Sequence, residues 1–155
     1  MSIKNPISTT LLCATLLWGA SVGVYANEEV AKPVETKVDT RINLGFTLSE
    51  KATFLSEMRQ MLASIQGIIA GIGSDDPEQI IKAARYSGNR MARATPKSIK
   101  KKTPLAFKQM GGPIHMMFEE MVIRAETDDM DMLAEFTGKL MKQCLACHAM
   151  FKVSK

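Results

Sequence analysis

Aromatic side chains are sparse in this chain of 155 residues: one Trp, two Tyr and six Phe. A β-sandwich fills its core from aromatic and β-branched residues, so the shortage favours helices. With 10 Gly and 6 Pro, punctuating residues are too few for a collagenous or low-complexity chain. Charged residues make up 23% against 46% hydrophobic, which excludes a disordered chain and points to a globular one. A single core is expected at this length. Cysteine is rarer still, at three: Cys13, Cys144 and Cys147. Methionine is the exception, at 12 residues.

Residues 1–26 read as a secretory signal peptide. Lys4 is the only charged side chain before Glu28, an apolar run extends from Leu11 to Val24, and Val24-Tyr25-Ala26 places small residues where a signal peptidase cuts. The run is too short for a membrane-spanning helix, so cleavage is expected after Ala26 with no membrane span remaining. Cys13 leaves with it, and the loss of Lys4 lowers the formal net charge from +4 to +3. So mild a charge gives no reason to expect nucleic-acid binding. Export implies an oxidising compartment, here the periplasm, in which Cys144 and Cys147 should not idle as free thiols.

The mature chain reads as a polar lead-in over 27–46 and a four-helix domain over 47–155. The first helix starts at Thr47, with Glu50 completing a capping box. Leu48, Ala52, Leu55, Met58, Leu62, Ile65, Ile69 and Ile72 recur at helical spacing before Gly71 and Gly73 end it. The second opens at Asp76-Pro77 and fades near Ala94, before Pro96. A basic loop follows with Lys97, Lys100, Lys101 and Lys102, either a solvated surface or a region that steers an acidic redox partner. Thr103-Pro104 begins the third helix, with a kink or break expected at Gly111-Gly112-Pro113. Thr127-Asp128-Asp129 caps the fourth, which carries Leu133, Phe136, Leu140, Cys144, Cys147, His148 and Phe151 along one side. No strand is expected. The fold class is all-α, an up-down-up-down antiparallel four-helix bundle.

Cys144-Leu145-Ala146-Cys147-His148 is C-x-x-C-H, the signature of covalent haem c attachment. On a helix, positions i, i+3 and i+4 share a face. Two thiols can thus reach the two vinyl groups of one porphyrin edge while the histidine turns a nitrogen to the iron. Iron binding takes the neutral imidazole, whose other nitrogen is then free to donate to a carbonyl or water. This chain's own residue frequencies produce the pattern by chance in roughly 7 × 10⁻⁴ of such sequences. A small disulfide beside an incidental histidine is the plain alternative. A thioredoxin-like pair would need a βαβ unit, and a zinc site would need His115 as a fourth ligand.

With its signal peptide, four helices and C-x-x-C-H at the end of the last, the chain resembles the class II cytochromes c, the cytochrome c′ family. Phe151 and Lys152 continue the likeness, because members tend to carry an aromatic and a basic residue at the third and fourth places after the histidine. By architecture the likeness covers the mature chain, but its specific motif is confined to 144–152. It implies one covalent haem c per chain on the last helix, His148 as proximal iron ligand and the first helix on the distal side. Members often dimerise through the first helix, so a homodimer is admitted.

What fills the sixth iron position separates two functions. Low-spin members supply a methionine from the first helix, whereas high-spin members leave an apolar side chain there. Helical spacing centres the apolar face close to Met58, with Met61 roughly 60° away. Methionine is also a common core filler, and Met110, Met116, Met117, Met121, Met130, Met132, Met141 and Met150 cannot all be ligands. The family often carries an arginine one turn before the distal residue. Arg59 resembles it and is a candidate propionate contact, but Ala63, four residues on, cannot bind iron, so that register leaves the distal face open. A six-coordinate iron describes a periplasmic carrier of single electrons between redox proteins. A five-coordinate iron describes a high-spin protein binding nitric oxide or carbon monoxide. No acid–base or nucleophilic constellation accompanies the motif, so no enzyme is expected.

Overall fold

A computed structural model describes residues 38–154. The expected signal peptide over 1–26, its cleavage after Ala26 and lead-in residues 27–37 lie outside the described residues. The described part is mostly helical, in agreement with an all-α fold.

Helix α1 (Leu48–Gly73) is launched by the expected capping box: the Glu50 N–H donates to Thr47 Oγ1, and the Glu50 carboxylate accepts from the Thr47 N–H at 2.9 Å. Helix α2 (Pro77–Arg85) starts with Pro77 at its first position and the Asp76 side chain accepting from the Gln79 N–H. Gly71 lets the two helices close up, because a Cβ there would stand 2.6 Å from Ile80 Cγ1. A Cβ on Gly67 would likewise meet Ala83, so the partners run in opposite directions.

The chain then departs from the single second helix expected to reach Ala94. It breaks at Tyr86-Ser87-Gly88 and resumes as α3 (Asn89–Ala94). The cause is tertiary. Glu119 reaches over from the following long helix, accepts from the Asn89 N–H at 2.6 Å and fills the space where a Gly88 side chain would stand. The basic stretch expected to be a loop is instead helix α4 (Lys97–Lys102), anchored by Ile99, which is 1% exposed. Thr103 does not cap the next helix; its hydroxyl donates to the Lys100 carbonyl and closes α4.

Helix α5 (Leu105–Arg124) runs unbroken through Pro113, where a kink or break was expected. Pro113 lies on the exposed side, as does Gln109, whose carbonyl therefore loses its helical N–H partner at the surface and not in the core. Ile114 and Phe118 meanwhile bury on the other side. Helix α6 (Met130–Met150) starts as expected, with Asp129 accepting from the Met132 N–H at 2.8 Å. Helix α1 packs on α2 and α6, and α5 packs on the same two, so these four close a ring. Inside it lie Ile65, Ile68, Ile80, Phe118, Leu133 and Leu140.

Two short strands correct the expectation of none. β1 (Ile42–Asn43) pairs in parallel with β2 (Phe151–Lys152), Ile42 opposite Phe151. Among the described residues, packing therefore reaches back at least to Ile42, within the segment expected to be a lead-in. Leu44 is buried, and Phe46, Phe54, Phe107 and Phe151 form a chain of ring contacts 5.1–5.8 Å apart. Two-residue strands are too short to leave a period in the sequence. No described helix is long and apolar enough to cross a membrane.

Candidate functional site

The last two turns of α6 carry Cys144, Cys147 and His148, and all three line one cavity of ≈ 1000 Å³. That volume stands at the top of the range for cofactor and ligand pockets. Its lining is mainly apolar, with Leu44, Phe54, Leu62, Ile65 and Phe107 among the walls. Cys144 is half-buried and Cys147 buried, both as free thiols. Burial pushes both thiols up from their ordinary value, and at Cys147 the neighbouring Cys144 adds to the effect.

Among the described residues no three His, Cys, Asp or Glu side chains converge on one metal position. The zinc alternative requires such convergence. Haem c does not, because its thiols bond the porphyrin edge and only the histidine reaches the iron. Two thiols and an imidazole opening on one roomy apolar cavity fit that group.

Helix α1 brings both candidate methionines to the cavity. The buried stripe, however, runs through Phe54, Met61, Ile65 and Ile68, which centres it about 50° away from Met58. Leu48, Leu62 and Ile69 were counted as inward and are at least half exposed (79%, 69% and 50%). Met61 is thus the buried methionine, and Met58 sits at the stripe's edge, packed against both hydrophobic clusters. Arg59 is exposed on the far side of α1 and does not line the cavity. The apolar face expected from the sequence, centred close to Met58, thus lies about 50° from the buried one. The cations that do line the cavity are Arg41, Lys100, Lys108 and Lys152.

Comparison with protein-family models, curated proteins and solved structures produced no match.

Arg41 was invisible in the sequence because it belongs to the segment read as lead-in. Its Nη1 donates to the His148 carbonyl at 3.2 Å, and its Nε and Nη2 donate to the two Asp39 oxygens at 2.9 Å. Lys152 Nζ adds a bond to the Asp39 carbonyl at 3.0 Å. The Arg41 guanidinium holds the Asp39 carboxyl well below the usual carboxylate range. A strap of backbone pairing and charge is thereby tied to the residue that would bind iron.

A polar wall completes the site. His115 lines the cavity with its Nδ1 2.7 Å from the Ser87 carbonyl. A carbonyl only accepts, so Nδ1 carries the proton and a neutral ring leaves Nε2 bare. Beside it the half-buried Glu57 accepts from the Thr95 hydroxyl at 3.3 Å, and burial raises its carboxyl above the ordinary value.

Proposed function

We propose that this chain is a periplasmic c-type cytochrome of the class II kind. It would carry one haem c bonded through Cys144 and Cys147, with His148 as axial iron ligand. In this reading α1, α2, α5 and α6 are the helices of an up-down-up-down antiparallel bundle, and the chain reaches the periplasm by cleavage after Ala26. The observation that carries the proposal is the shared cavity: both thiols, the histidine and the two methionines of α1 all open on it.

The bound group would supply a reversible one-electron change at iron. The residues supply the rest. His148 gives a neutral nitrogen, steadied through its backbone by Arg41. A thioether from Met58 or Met61 is soft and favours the reduced metal. The apolar walls of the cavity would lower the polarity around the group, which would limit reorganisation between oxidation states. Function is then one-electron exchange with redox proteins, not substrate turnover.

Expression with haem maturation in an oxidising compartment tests this. Haem that stays with the polypeptide on a denaturing gel is expected, with sharp low-spin bands indifferent to carbon monoxide. Broad bands that shift under carbon monoxide would replace the carrier with a five-coordinate gas-binding protein. Polypeptide without attached haem would overturn both readings.

A further inference from the structure

Charge along this chain is sharply segregated. Residues 82–108 contain nine Lys or Arg and no Asp or Glu, which leaves 11 Lys and Arg against all 16 Asp and Glu elsewhere. The segment comprises the end of α2, α3, α4 and the first turn of α5. Arg93, Lys97, Lys101, Lys102 and Lys108 are exposed, and Lys100 is half-buried. Of these six, Lys102 alone is in an ion pair among the described residues, with Glu50. Among the described residues two further carboxylates reach the segment, Glu119 on the Asn89 N–H and Glu57 on the Thr95 hydroxyl, with Lys100 near Glu57. The same stretch is a wall of the cavity, through Ala92, Thr95, Ile99, Lys100, Thr103 and Lys108.

We propose that this basic wall docks an acidic redox protein beside the haem edge. The inference rests on the cytochrome reading above. Unpaired cations gathered at a low-dielectric cavity focus field toward its mouth and raise the encounter rate with an anionic surface. Electron exchange needs short-lived complexes, whose interfaces are small and whose specificity comes from charge complementarity more than buried area. The surface has that character. Among the described residues Leu105 is the one large apolar side chain exposed between Arg90 and Lys108. That is too little apolar area to insert into a bilayer.

The test uses the haem-loaded protein and two donors of opposite charge: reduced flavodoxin, an acidic protein, and hexaammineruthenium(II), a small cation. Reduction by flavodoxin should be fast at low salt and fall steeply as salt rises toward 1 M, where the screening length shrinks to ~3 Å. The double variant Lys97→Glu/Lys101→Glu should slow that reaction by roughly tenfold at low salt. It should also speed reduction by the ruthenium cation, a response of opposite sign that a misfolded protein would not give. Lys51→Glu/Lys139→Glu makes the same change in net charge elsewhere and should alter either rate by less than about twofold. Equal effects from the two double variants would overturn the proposal, because net charge would then suffice. So would a flavodoxin rate flat in salt, with or without binding of the protein to phosphatidylglycerol vesicles or duplex DNA. Haem attached but indifferent to these charges refutes docking alone, whereas no attached haem refutes the cytochrome reading as well.

Discussion

Ile99 is the side chain on which the cavity's basic wall depends, and its truncation has a magnitude the structure sets. Helix α4 has six residues and no side-chain cap at its N-terminus, too short to persist without tertiary anchorage. Ile99 is its only buried residue and packs in the cluster that contains Leu44, Phe54, Cys147 and Phe151. Ile99→Ala removes three carbons, about 2.4 kcal/mol of transfer free energy at ~0.8 kcal/mol each. A closed void would add to this, but Ile99 already borders the large cavity, so little new void forms and the loss should stay near 2–3 kcal/mol. Ile68→Ala provides the contrast. Ile68 is fully buried and does not line the cavity, so its truncation should leave a closed void and cost about 4 kcal/mol. Urea unfolding of the two variants against the parent measures the difference. Amide exchange should also accelerate in α4 of Ile99→Ala ahead of the other helices. Equal losses for the two variants, or a loss under 0.5 kcal/mol for Ile99→Ala, would refute the anchoring argument.

Cys144→Ala or Cys147→Ala should each leave a single thioether link, read from the reduced absorption bands, and His148→Ala should abolish the proximal ligand's spectral signature while the covalent attachment survives. Unshifted bands in either cysteine variant would remove that sulfur from the linkage. Met58→Ala and Met61→Ala, recorded separately, identify the sixth ligand: the variant that turns a low-spin spectrum high-spin lacks it, and two unchanged spectra would exonerate both. For pH, Glu50 is held down to about 2 from an ordinary 4.5, first by the Lys102 hydrogen bond and then by the Thr47 N–H. A depressed acid stabilises the fold above its unfolded value and loses that contribution as pH falls through the folded one. Glu50→Gln should therefore flatten the decline of melting temperature between pH 4.5 and 2 while lowering the neutral plateau. An acid limb identical to the parent's would contradict the capping and ion-pair geometry.

Local capping signals survived into the structure except at Thr103, which turns back to the Lys100 carbonyl. Thr47 with Glu50, Asp76 with Pro77, and Asp129 each cap the helix they were expected to cap, since every partner lies within three residues. Errors arose where a distant residue decides. The break at Gly88 needs Glu119, 31 positions later, and the strands at Ile42 and Phe151 need each other. Cys144, Cys147 and His148 stood out because their chemistry is written in fixed spacing on one helix. The opposite wall was read less well. Leu62 and Ile69 are apolar yet exposed, so the face computed from them swung away from Met61.

The break in the second helix also accounts for the cavity. The ring formed by α1, α2, α5 and α6 is packed solid around Phe118, Leu133 and Leu140, all fully buried. Had the helix that begins at Pro77 continued to Ala94, the same close packing could have extended along α1, and no room would remain beside α6. Glu119 stops it by taking the Asn89 N–H, and the chain over 89–102 folds into two short helical pieces, the second anchored by Ile99. Short pieces cannot fill the space a continuous helix would, and the gap opens where Cys144, Cys147 and His148 end α6. Replacing Glu119 by Gln keeps an acceptor for Asn89 and should preserve the cavity, whereas Glu119→Ala removes it. If the cavity depends on that one bond, Glu119→Ala should lose haem on purification of a Cys144→Ala/Cys147→Ala background, in which retention is non-covalent, faster than Glu119→Gln does. Equal retention in the two would mean that the break is written in Ser87-Gly88 and not imposed by Glu119.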